Sequence, residues 1–146
     1  MTLDEFLAGT APIGVLAGSA RDAAAIRFRA PGYAVREVRG AKMPTVAAVF
    51  DEFAAAFQFP YYFGQNKDAF DECMRELEFV APGAGYVVVV RDADELLAAQ
   101  PDQRGWFDDA MRFYAEHWAQ EATVFRVILQ SPDPLALGGD IVEIDV

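Results

Sequence analysis

Tyr86-Val-Val-Val-Val90 is a continuous apolar run with no polar residue on either side of its pleat. A strand with one wet face alternates polar and apolar residues. A strand that does not alternate is covered on both faces, as in a parallel sheet with helices above and below. The neighbouring patterns supply such helices. Thr45 is placed to cap one whose Val46, Val49, Phe50, Phe53, Ala54 and Phe57 follow the i, i+3, i+4, i+7 rhythm. Another is predicted from about Arg104 to Gln120, burying Phe107, Met111, Tyr114, Ala115 and Trp118. Tyr33–Val38 and Thr123–Leu129 read as strands. The expected class is α/β: a small parallel sheet flanked by helices. It has three core strands, and four or five if Gly14–Ala17 and the alternating Ile141–Val146 join.

Weaker signals fill the rest. Thr2 and Gly9 bracket a short helix, and Ser19 with Asp22 forms a capping-box pattern opening a helix to about Arg29. Ile26–Arg29 also alternates, so a strand there is the competing reading. A short helix is predicted over Glu95–Ala99, ended by Pro101. Pro82–Gly85 marks a turn, and the prolines of Ser131–Pro134 break the chain. The 146 residues suit one domain, with a core over about 33–130 and an extension at each end. No apolar run approaches the roughly 20 residues of a membrane span, and no secretory leader is evident. Cys73 is the only cysteine, which excludes an internal disulfide and fits a reducing cytoplasm.

The stretch Phe59–Leu77 carries the functional signal. Pro60 separates it from the preceding helix, and Tyr61, Tyr62 and Phe63 follow on a short loop. Asn66 is a plausible N-cap for a helix starting at Lys67 and running to near Phe79. At about 100° per residue, Ala69, Phe70, Cys73, Met74, Leu77 and Val80 share one side. Asp68, Asp71, Glu72, Arg75 and Glu76 share the other. Carboxylates in the first turns suit the helix dipole, and Lys67 with Asp71 is a usable i,i+4 pair. Glu76 lies too far along to benefit. The pairs Asp68/Glu72 and Glu72/Glu76 set like charges one turn apart, at roughly 0.2–0.5 kcal/mol each. By default such a face is solvated surface; exposed tyrosines leading into it favour an interface.

The catalytic inventory is thin. His117 is the single histidine, in a predicted helix, and no serine stands in a nucleophile-elbow setting. Cys73 faces the core side, where a thiol is inert. One Cys and one His do not make a zinc site. Gly14–Arg21 resembles a phosphate loop only faintly, without its Gly-Lys-Ser/Thr ending. Asp92, Asp94 and Glu95 suit a solvated helix start better than a cation. Acid/base work by Asp68 and Glu72 finds nothing apolar nearby to raise either pKa. We expect a non-enzyme with no cofactor and no metal. The net charge is −11, with residues 1–42 at +2 and residues 43–146 at −13. Such a chain is repelled by nucleic acid and anionic membranes and attracts a basic protein.

Pro60-Tyr-Tyr-Phe-Gly-Gln-Asn-Lys-Asp-Ala-Phe-Asp-Glu-Cys73 closely resembles the central motif of the barstar family, small intracellular inhibitors of barnase-type ribonucleases. The element order from Tyr33 to Leu129 is similar as well. The resemblance implies a one-to-one complex with a basic ribonuclease, blocked without any reaction. By position it makes Tyr62 a residue that packs on the enzyme and Asp68 an aspartate of the binding helix. It puts Glu72 in the place of the aspartate that enters the phosphate pocket. Asp71 stands where the best-known member has an aromatic residue, and Glu76-Leu77 replaces a glycine–tryptophan pair. Glu116, on the later helix, lies near a family contact carboxylate. These departures keep a second partner class open: an immunity or regulatory protein of the same fold whose target is not a ribonuclease. An enzyme using its carboxylates is the third reading.

Overall fold

The computed structural model describes all of residues 1–146. Each early helix begins where a side chain takes an orphan backbone N–H. Thr2 caps α1 (Leu3–Ala8) by accepting from Glu5, and Ser19 and Asp22 close a full capping box on α2 (Ala20–Arg29). That box settles residues 26–29 as helix. Thr45 caps α3 (Val46–Phe57), Asn66 caps α4 (Lys67–Glu76), and α5 spans Arg104–Gln120. The strands are β1 (Ile13–Ala17), β2 (Ala34–Arg39), β3 (Gly85–Arg91), β4 (Val124–Ser131) and β5 (Val142–Glu143).

All five strands lie in one parallel sheet in the order β2-β3-β4-β1-β5. The valine run is the interior strand β3, between β2 and β4, buried from Gly85 to Val90. Tyr86, Val88 and Val90 project into the larger core with Phe125, Val127 and Leu129, beneath α3, α4 and α5. Val87 and Val89 project the other way with Ile128, beneath α1 and α2. Residues 3–29, whose role the sequence leaves open, therefore build a second helical layer and the strand β1. Two buried polar residues of β4 tie the sheet to neighbouring segments. Gln130 accepts from the Asp92 N–H at 2.9 Å and donates to the Gly18 carbonyl at 2.7 Å, while Arg126 donates to the Gly9 carbonyl. Glycine is required at position 40, where a Cβ would collide with the backbone of Asp92.

Two boundaries differ from the sequence reading. The acidic helix stops at Glu76, not near Phe79: Leu77 turns left-handed (φ 41°), donates to the Cys73 carbonyl at 2.8 Å and buries its side chain. Glu95–Ala99 is not an α-helix but a 3-10 turn at Ala93–Glu95 followed by turns. Leu97 donates to the Met43 carbonyl at 2.7 Å and Ala99 to that of Pro44 at 3.0 Å, so tertiary bonds take the donors a helix would use. The Ile141–Val146 segment does join the sheet, as the two-residue edge strand β5. No helix is long and apolar enough to cross a membrane.

Candidate functional site

The loop from Phe59 to Asn66 alternates anchors with displayed rings. Phe59 and Phe63 pack edge-on at 5.1 Å, and Phe63 meets Phe50 of α3 at 5.8 Å. Phe63 donates its N–H to Pro60, and Gln65 reaches Asp51 at 3.3 Å, closing the loop on α3. The two tyrosines between Pro60 and Phe63 point outward. Tyr61 is 101% exposed and Tyr62 67%, their rings edge-to-face at 5.6 Å.

The loop delivers the chain to α4, where Asn66 accepts from Ala69 N–H at 2.8 Å. Phe70 and Met74 fix the buried side. Asp68, Glu72 and Glu76 are exposed, four residues apart, and none forms an ion pair. The expected Lys67–Asp71 pair does not form. Lys67 instead donates to Gln103 at 2.7 Å and lies over the Trp106 ring at 4.8 Å, pulling its charge off the acidic face. Arg75 donates to the Asp71 carbonyl at 3.3 Å, with its guanidinium 5.9 Å from the Phe113 ring. Like charges held a turn apart without relief are unfavourable in the free protein. A cationic surface docking there would relieve them.

Asp71 differs from the other carboxylates of α4. It is half-buried, and its Oδ1 accepts from the buried Tyr114 hydroxyl of α5. It belongs to the α4–α5 contact rather than to the exposed line. Two more side chains of α5 complete that contact: Trp118 donates to the Met74 carbonyl at 2.9 Å, and His117 Nε2 lies 3.0 Å from the Arg75 carbonyl. These groups satisfy carbonyls that a helix end leaves open, which gives the single histidine a structural role. Glu116 is exposed on α5. It stands about 200° around that helix from Tyr114 at 100° per residue, so the fold does not bring it into the α4 line.

One acidic residue beyond the expected set shapes the local field. Glu78, just past the helix end, is the foremost influence raising the Tyr62 phenol, followed by desolvation and then Glu76. Cys73 is half-buried; desolvation chiefly, then Glu76, Glu72 and Glu78, push its thiol up, so it stays protonated and unreactive. Phe79, 60% exposed, follows Glu78. Glu76 and Glu78 thus both act on Tyr62 and Cys73, while Asp68 and Glu72 lie further back along α4. Glu78 lies beyond the end of α4, where helical periodicity no longer assigns a side chain to a face.

The chain matches no curated protein at a significant level. A family model described as barstar, the barnase inhibitor, matches residues 33–130, from the start of β2 almost to the end of β4 and including the whole tyrosine loop and α4. This chain belongs to the barstar family.

Proposed function

We propose that the protein inhibits a basic ribonuclease, one to one, by laying α4 and the tyrosine loop across the enzyme's substrate cleft. An enzyme that cleaves RNA presents arginines, lysines or histidines to a phosphate. Asp68, Glu72 and Glu76 offer carboxylates to those groups, and carboxylate–guanidinium bonds are charge-assisted and often bidentate. Tyr62 supplies rigid contact area beside them. The acidic half of the chain attracts the cationic cleft at long range and speeds encounter. The observation that carries this reading is the exposed, unpaired line of Asp68, Glu72 and Glu76 on a rigidly backed helix. No group of the chain is asked to react.

The test is titration of the purified protein against barnase-type ribonucleases, with RNA cleavage as the readout. Stoichiometric inhibition that weakens with added salt is expected, with Glu72→Ala and Asp68→Ala each weakening it at least tenfold. Unchanged inhibition by both variants would end the acidic-helix mechanism. A second reading, a different basic toxin as target, draws on two departures on α4 itself. Asp71 is engaged by Tyr114 and Leu77 is buried, so α4 displays acids and no large aromatic. Tight binding to a basic toxin of another chemistry, with ribonucleases untouched, would decide for it.

A further inference from the structure

The two edges of the sheet are finished differently. On one side β5 pairs over only two residues, and the chain beyond it is held by Met1 and Val15. On the other side β2 is a six-residue strand with no neighbour beyond it. Its last residue reveals which backbone groups face out. The Arg39 N–H is taken by Glu52 Oε2 of α3 at 3.0 Å instead of by β3. Along a parallel ladder the N–H and C=O of successive residues point alternately to the two sides. Val35 and Glu37 therefore direct their backbone groups away from the sheet, as Arg39 does. At Arg39 the position is occupied by the Glu52 carboxylate; at Val35 and Glu37 it is open.

A groove runs along this open edge, lined by Arg27 of α2, by Val35, Arg36 and Glu37, and by Ala55 and Gln58 at the end of α3. Val35 packs toward the α2 layer and Ala34 toward the α3 layer. Arg36 therefore stands on the α3 side of the edge, and Arg27 on the α2 side. Arg36 Nε and Glu37 Oε1 are buried without a partner. The local charge contrasts with the rest of the chain. Residues 20–42 hold six cations and two carboxylates, and of those cations only Arg39 forms an ion pair. The groove's own charged lining is Arg27, Arg36 and Glu37, two cations to one carboxylate, and charges lining it act well inside a Debye length of about 8 Å. A second copy would bring the same cations against them.

We propose that the β2 edge accepts an extended, acidic segment of a partner chain as a sixth strand, bonded to the backbone of Val35 and Glu37 and flanked by Arg27 and Arg36. Main-chain bonds supply the attachment and the arginines on both sides select the charge. This surface uses none of the exposed α4 carboxylates, although Gln58 at its end also lines the pocket beside Glu76 and Glu78.

The probes are a capped threonine–glutamate peptide and its threonine–lysine counterpart, titrated into the labelled full-length protein while backbone amide resonances are followed. The acidic peptide is expected to shift and protect the Glu37 amide and its neighbours, with the lysine peptide silent. Val35→Pro removes one outward N–H that the sheet does not use, which an edge strand tolerates. It should abolish the shift at Glu37 while leaving α4 resonances unchanged. Should that variant unfold, Arg27→Glu, at an exposed position, is expected to weaken the acidic peptide at least tenfold. Equal binding of both peptides, silence from both at millimolar concentration, or full binding by Arg27→Glu would overturn the proposal.

Discussion

The Tyr114 hydroxyl of α5 donates to the Asp71 carboxylate of α4, across 43 residues of sequence. Asp71 has no ion-pair partner, so this neutral donor is what holds its charge in a half-buried place. Removing the donor leaves the carboxylate short of a bond, and hydrogen bonds to charged groups contribute about 1.5–3 kcal/mol. Tyr114→Phe is expected to lower unfolding stability by that order in urea titrations. Asp71→Ala combined with Tyr114→Phe should cost clearly less than the two single changes added together, since both remove the same bond.

Stability against pH follows from two groups on opposite limbs. Burial first, then the bond to Asp71, holds the Tyr114 phenol far above its ordinary range. A phenol raised in the folded state gives its full contribution below the unfolded value, about 10, and loses it as pH climbs beyond. Glu52 runs the other way. The bond from Arg39 holds its carboxyl below the ordinary value of 4.5, so its contribution is complete above that value and fades as pH falls through the lower, folded one. Thermal melts of Tyr114→Phe should flatten the alkaline limb alone, and those of Glu52→Gln the acid limb alone.

Trp118 tests whether α5 holds the end of α4. Trp118→Phe keeps a ring beside Tyr86 and leaves the Met74 carbonyl without its donor. A cost of about 1 kcal/mol is expected. Amide exchange should quicken at Cys73–Leu77 before it does in β3, because the last turn loses its tether.

The tyrosine loop separates display from anchorage. Tyr62→Ala removes an exposed ring and should leave stability within about 0.5 kcal/mol while weakening capture of a basic ribonuclease. Phe63→Ala removes the ring that packs on Phe50 and Phe59. It should cost about 2–3 kcal/mol and weaken capture as well. If Phe63→Ala destabilised the fold without touching capture, the loop would not be positioning Tyr62.

The sequence makes some of this molecule plain for identifiable reasons. Val87–Val90 announces a strand covered on both faces because burial leaves no polar alternation. Thr2, Ser19, Thr45 and Asn66 mark helix starts because capping is a contact between residues a few positions apart. What stayed hidden depends on partners far along the chain. Asp71 sits on the polar side of any helix wheel, and only Tyr114 turns it inward. Residues 95–99 look helical until Met43 and Pro44 take their donors. The end of α4 carries no glycine to announce it, since Leu77 itself adopts the left-handed turn. Within the candidate site, i, i+4 spacing alone puts Asp68, Glu72 and Glu76 in line, whereas the place of Glu78 depends on the turn at Leu77.

The matched segment begins at residue 33, yet α1, β1 and α2 all precede it. A shortened protein starting at Tyr33 would keep the acidic helix but lose Ile13 and Val15 from the core beneath it. It would also strip the roof from Val87, Val89 and Ile128, presenting water with a bare greasy wall. Such a fragment is expected to aggregate, so the leading residues set whether the acidic face can be displayed in solution at all.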